Sequence, residues 1–197
     1  KNFLNGEIIE NTILYAPTYR PGKIPTTFFP FPDYSKDLLL DLLESTKTNL
    51  LLRPHLTDLT KYKDLRDFLN DLSSNKRIKL ATHKEFADIN TLLPFIDVLI
   101  TDYSSIYHDF LLLNKPMIFF PYDYDQYNKR SGFLYDYFEN LPGPSVNNFN
   151  DFSKELRSVT SGSDNYAKKR AFLTEQIHEY SDANSCERAS KLIENLL

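Results

Sequence analysis

The sequence predicts a doubly wound α/β domain with a mostly parallel sheet, and three observations carry that expectation. Short apolar runs bounded by turn residues alternate along the chain with leucines at helical spacing, as strand–helix–strand crossovers require. Two of those runs, DVLIT at 97–101 and MIFF at 117–120, are near-continuously apolar and so belong to strands covered on both faces. Only five glycines occur, which removes a glycine-rich dinucleotide fingerprint, whereas 13 Tyr and 15 Phe point to an aromatic core or cleft.

Residues 13–16 read as the first strand, stopped by Pro17, and the proline-rich stretch 21–32 cannot be regular helix. Leucines at helical spacing over 35–45, with Ser35 as N-cap, predict the first helix. A strand at 49–52 ends before Pro54, a helix follows over 61–72, and 77–81 reads as the third strand. A short helix over 86–95 is disturbed by Pro94. Strand 97–101 runs straight into a helix over 104–113, and Pro116 opens the strand 117–120. A loop rich in Tyr and Asp comes next, and the tail from 149 is mostly helical. The organisation expected is a nucleotide-binding domain over 1–148 and a helical segment, 149–197, packed on it.

A net charge of −4 argues against a dedicated nucleic-acid binder, which carries a basic excess. The single cysteine, Cys186, rules out a disulfide framework or a thiolate metal site. No apolar run reaches membrane-span length and no signal-peptide pattern opens the chain, so a cytosolic setting is expected. The opening KNFLNGEIIE lacks an initiator Met, which points to a piece of a longer protein.

In open parallel sheets ligands bind beyond the carboxyl ends of the strands, so the residues there are the candidates. After the first strand stand Pro17, Thr18 and Arg20: a hydroxyl and a guanidinium fork suited to phosphate, or a surface arginine beside a turn. After the second come Arg53, Pro54 and His55; the imidazole either faces a ligand or caps a neighbouring backbone group. After the fourth come Asp102, Ser104 and Ser105 at a helix start, where free amides form an anion site but also accept plain capping. Asp102 would repel phosphate, so it orients backbone amides. Asp109, a turn further on, either takes ribose or polyol hydroxyls or is a solvated acid. A Ser104–His108–Asp109 triad is excluded, because adjacent helical positions point apart and leave the imidazole without an orienter. Tyr-rich 121–130 either flanks a base or polyol or covers the sheet edge. Lys168, Lys169 and Arg170 read as a solvated helix face.

ILYAPTYR at 13–20, LLRPHL at 51–56 and the block from DVLITDYSS at 97 through GFLYDY to LPGP at 141–144 together resemble the CDP-glycerol glycerophosphotransferase family. These are polymerases of wall teichoic acid and related capsule polymers. The resemblance runs from about 13 to 146, more loosely to 188, and its long central block is the specific part. It implies the C-terminal, donor-binding, Rossmann-like half of a GT-B-type transferase. Polyol phosphate would pass from CDP-glycerol or CDP-ribitol to a polyol-phosphate polymer, releasing CMP. By the same resemblance Arg53, Pro54 and His55 contact the donor pyrophosphate, with Arg53 and His55 catalytic. Ser104 and Ser105 bind phosphate, Asp109 holds hydroxyls, and Pro17, Thr18 and Arg20 line the cleft. The family's acceptor-side histidine has no counterpart in these residues. The full-length protein would sit on the cytoplasmic face of the membrane, and neither a cofactor nor a metal is called for. Two alternatives stand beside this reading: a GT-B nucleotide-sugar glycosyltransferase or epimerase with a UDP-linked donor, and a receiver-like signalling module phosphorylated on Asp102.

Overall fold

The computed structural model describes residues 11–20 and 24–196; the opening decapeptide and positions 21–23 of the proline-rich stretch lie outside them. Five strands form one all-parallel sheet: β1 (Asn11–Tyr15), β2 (Thr48–Leu52), β3 (Ile78–Leu80), β4 (Val98–Thr101) and β5 (Met117–Phe119). Their order is β3-β2-β1-β4-β5, and Ile13 sits opposite both Leu50 and Val98. Each strand falls within a residue or two of its expected span.

Side chains alternate faces along a strand, and the two apolar layers follow that period. Ile13, Tyr15, Leu50, Leu52, Ile78, Val98, Ile100 and Ile118 enter one core. Leu14, Ala16, Leu99, Met117 and Phe119 enter the other. Helix α1 (Lys36–Ser45) covers the first face with Leu39, Leu42 and Leu43, each worth about 1.5–3 kcal/mol of burial. Ser35 accepts from the Leu38 amide as its N-cap.

The stretch expected as one helix over 61–72 is two, α2 (Leu56–Lys61) and α3 (Lys63–Ser73), separated by an extended Tyr62. No Gly or Pro marks the break. Its freed carbonyls on Leu59 and Thr60 are taken by the Arg66 guanidinium at 2.7 and 3.3 Å. The segment expected as a helix over 86–95 forms only two 3₁₀ turns, Ile89–Thr91 and Leu93–Phe95, because Pro94 has no N–H to continue a ladder.

On the second face α4 (Ile106–Leu111) is shorter than the expected 104–113. The Tyr- and Asp-rich loop contains a helix that the composition concealed, α5 (Tyr124–Ser131). In the tail α6 (Phe149–Thr160) buries Phe149, Phe152 and Leu156, α7 (Ala167–Ile177) buries Arg170 and Leu173, and α8 (Ser185–Glu194) buries nothing.

Candidate functional site

The strand order reverses between β1 and β4, so the loops leaving their carboxyl ends diverge and open a crevice there. A cleft of about 300 Å³ occupies this place. Seven of the nine residues that the resemblance assigned to the site line it: Pro17 after β1; Arg53, Pro54 and His55 after β2; Ser104, Ser105 and Asp109 around the start of α4.

Arg53 donates from one Nη to the carbonyls of Ala81 and Phe86 at 2.8 and 2.7 Å, which fixes the guanidinium against the loop after β3. No carboxylate pairs with it among the described residues. Burial pulls the Arg53 guanidinium below the ordinary arginine value. A half-buried cation held by neutral carbonyls lacks a counter-ion, which an anion entering the cleft would supply. His55 is the N-cap of α2, its Nδ1 accepting from the Thr57 amide at 3.2 Å, so the neutral ring carries its proton on Nε2. Tyr19 stacks on the imidazole with centroids 4.4 Å apart. The capping alternative is the one observed, and it occupies Nδ1 alone while the ring lines the cleft.

Thr18 and Arg20 do not line the cleft. Thr18 donates through both N–H and hydroxyl to Asp102. Arg20, only 5% exposed, donates to Asp102 at 2.8 Å and to both oxygens of Asp123 at 2.7 and 2.8 Å. Burial lowers the Arg20 guanidinium, but the Asp123 hydrogen bond and the charge of Asp102 outweigh it and hold Arg20 raised. With its charge already matched by two carboxylates, Arg20 is a strut of the wall, and the expectation that Thr18 and Arg20 line this cleft is corrected accordingly. Asp102 organises the wall as expected, accepting also from the Tyr103 amide at 2.6 Å. At 1% exposure it offers no open carboxylate for a receiver-like phospho-acceptor.

At six residues α4 has a weaker macrodipole than the ten-residue helix expected, so the Ser104 and Ser105 hydroxyls carry more of the polar character. The side chain of Ser105 makes no capping bond, and Ser104 Oγ accepts only a long one, 3.5 Å from the Ile106 amide. His108 turns away from the serines, its Nε2 bonded to Tyr135 Oη at 2.9 Å while its carbonyl meets His178 Nε2 at 2.8 Å. The exclusion of a triad matches this geometry.

Ile89 and Asn90 complete the cleft opposite α4, and nothing in their sequence context announced them. Their place follows from the collapse of the β3–β4 crossover into 3₁₀ turns, with Asp88 capping the Asn90 amide at 2.9 Å. The basic cluster in the tail is also not what it promised. Lys168 is solvated, but Arg170 is 1% exposed, paired with Asp164 and bonded to Asn114. Among the described residues no group of three or more His, Cys, Asp or Glu is placed to hold a metal ion.

Comparison with known proteins gives this geometry a context. A teichoic acid poly(ribitol-phosphate) polymerase of Bacillus spizizenii is 39% identical over 68% of this chain and 20% of its own length. A teichoic acid glycerol-phosphate transferase of Staphylococcus aureus is 30% identical over 98% of this chain and 47% of its own. The chain thus spans less than half the length of either relative. The solved wall teichoic acid polymerase TagF superposes with a TM-score of 0.71 at 26% identity, covering 96% of this chain and 44% of that one. Anabaena HepE with UDP and glucose, at 14% identity and a TM-score of 0.52 over 95% of this chain and 49% of that one, shares the fold alone. The family model for CDP-Glycerol:Poly(glycerophosphate) glycerophosphotransferase matches residues 4–195. The chain therefore belongs to the CDP-glycerol:poly(glycerophosphate) glycerophosphotransferase family.

Proposed function

We propose that this chain is the donor-binding half of a transferase that moves a polyol phosphate, glycerol phosphate or ribitol phosphate, from a CDP-activated donor to a polyol-phosphate polymer. The observation that carries the reading is Arg53: a half-buried guanidinium without a carboxylate partner, in a cleft that also presents His55 and the Ser104 and Ser105 hydroxyls. That donor set suits a diphosphate. Asp109, exposed at the cleft's rim, suits the hydroxyls of ribose or polyol. Solved structures of the related TagF include one soaked with CDPG, which supports a cytidine-linked donor.

In the reaction an acceptor hydroxyl attacks the β-phosphorus of the CDP-polyol. A new P–O bond forms, the P–O bond to the bridging oxygen breaks, and CMP leaves with that oxygen. The hydroxyl's proton passes to a base that we place outside this chain. Transfers of this kind need positioning and neutralisation of spreading negative charge more than covalent help. Arg53, the Nε2–H of His55 and the serine hydroxyls provide these, already oriented before the donor arrives. We place the full-length protein at the cytoplasmic face of the membrane, where nucleotide-activated donors are made; no described helix is long and apolar enough to cross a membrane.

Ligand protection against thermal unfolding tests the reading, because a ligand specific for the folded state raises the midpoint. CDP and CDP-glycerol should protect the chain and UDP-sugars should not; the reverse order would favour a nucleotide-sugar transferase. Arg53→Gln should abolish the protection. In the full-length enzyme it should cut turnover at least about tenfold.

A further inference from the structure

A second hollow, of about 410 Å³, opens at the same edge of the sheet, beyond the carboxyl ends of β1 and β5. Its floor is the Arg20–Asp123 ion pair, and its walls carry Thr27, Tyr122, Gln126, Tyr127 and Arg130. The partition between it and the donor cleft is built from hydrogen bonds. Pro17 lines the cleft, the next residue is fastened to Asp102, and Asp102 holds Arg20. Tyr122 Oη accepts from the Thr27 amide at 3.4 Å and ties the two walls together.

The charge layout is specific. At the floor Arg20 is charge-matched by Asp123, and Asp102, buried behind it in the partition, holds the same guanidinium, so the floor offers polar atoms and no free cation. The rim carries Arg130, exposed and without an ion pair among the described residues, beside Lys129. Both lie in the last turn of α5, where cations suit the negative helix end; that accounts for their sequence position and not for the hollow beside them. A diphosphate finds no free cation on such a floor. A chain in which hydroxyls alternate with single phosphates matches the layout: its hydroxyls donate to Asp123 or pair with Gln126, its CH surfaces lie on tyrosine rings, and one phosphate takes the Arg130 fork.

We infer that this hollow seats an inner stretch of the acceptor, a polyol-phosphate chain, behind the Thr18–Asp102–Arg20 partition, while the chain's terminal hydroxyl lies beyond the hollow, at the donor. The inference rests on the donor-site reading above and adds the place of the second substrate.

The test is calorimetric titration of the chain with a synthetic glycerol-phosphate trimer, with and without saturating CDP. The trimer should bind in both conditions, and Arg130→Gln should weaken it about tenfold, the scale of one charge-assisted hydrogen bond, with Arg130→Lys recovering part of the loss. CDP should still protect Arg130→Gln from thermal unfolding, while Arg53→Gln loses CDP and keeps the trimer. Absence of trimer binding, an affinity indifferent to Arg130, or displacement of the trimer by CDP would overturn the inference and leave the donor site standing. Failure of CDP to bind the unmodified chain would instead remove the proposed function.

Discussion

His55 illustrates how one side chain caps a helix with one atom and still lines a cleft with the rest of its ring. Nδ1 is committed to the Thr57 amide at the start of α2, and the ring lines the cleft beside Arg53. The two roles separate by substitution. Asn is a strong N-cap and Ala is not, so His55→Ala should lose about 1 kcal/mol of stability and His55→Asn nearly none. Both should lose most of the protection given by CDP, because neither supplies the Nε2 donor. Urea denaturation beside ligand-induced shifts of the thermal midpoint measures the two effects, and a His55→Asn protein that binds CDP normally would reduce the imidazole to a cap. Arg20 teaches the converse lesson. Its type and place after a strand promised a phosphate ligand, yet its partner Asp123 lies 103 residues away, and no local pattern discloses such a pairing.

At the level of elements, the strands were legible because buried parallel strands are apolar runs with sharp ends, and all five were placed. What was not legible depended on contacts between distant segments. The break at Tyr62 relies on Arg66 for its carbonyls, and α5 is concealed by a polar, Tyr-rich composition whose rings find their packing on Tyr103, Phe133, Tyr137 and Phe138. The cleft was legible through Arg53, His55 and the serines, which follow strands directly; Ile89 and Asn90 arrive from a crossover with no strand end to flag them. The LPGP segment shows a backbone requirement of the same distant kind. Phe119 donates to the Pro144 carbonyl, and its own carbonyl accepts from Val146, both at 2.9 Å, so this segment extends the sheet past β5. At Gly143 an added Cβ would stand 2.1 Å from the Met117 carbonyl oxygen, backbone against backbone. Gly143→Ala must push the segment off β5 and should cost about 1–3 kcal/mol, the scale of overpacking a tight site. A thermal midpoint equal to that of the parent would show that the segment shifts freely.

Over the whole molecule, stability as a function of pH follows from where charged groups tie distant segments together. Asp33 accepts from the Phe149 and Asn150 amides and fastens α6 to the loop before α1; the Phe149 hydrogen bond holds its carboxyl below the usual carboxylate range. Asp164 is pushed up by burial, but the hydrogen bond from Arg170 outweighs this and holds it low, while Arg170 reaches across to Asn114 and Pro142. A carboxyl whose folded value lies below its unfolded one contributes stability that is complete above the unfolded value of about 4 and is lost as pH falls through the folded value. His108 adds an earlier step. Burial lowers it, the nearby His178 lowers it further, and Asp109 opposes both. The unfolded chain therefore takes up this proton first, and stability declines as pH falls from about 6.5 toward the folded value. Urea denaturation across a pH series should show a shallow loss beginning below about pH 6.5 and a steeper one below about pH 4. His108→Gln should erase the first step and leave the second, and Asp164→Asn should lower stability at neutral pH and shrink the second. If the early decline survives in His108→Gln, the imidazole on α4 is not its source, and the burial argument for His108 fails.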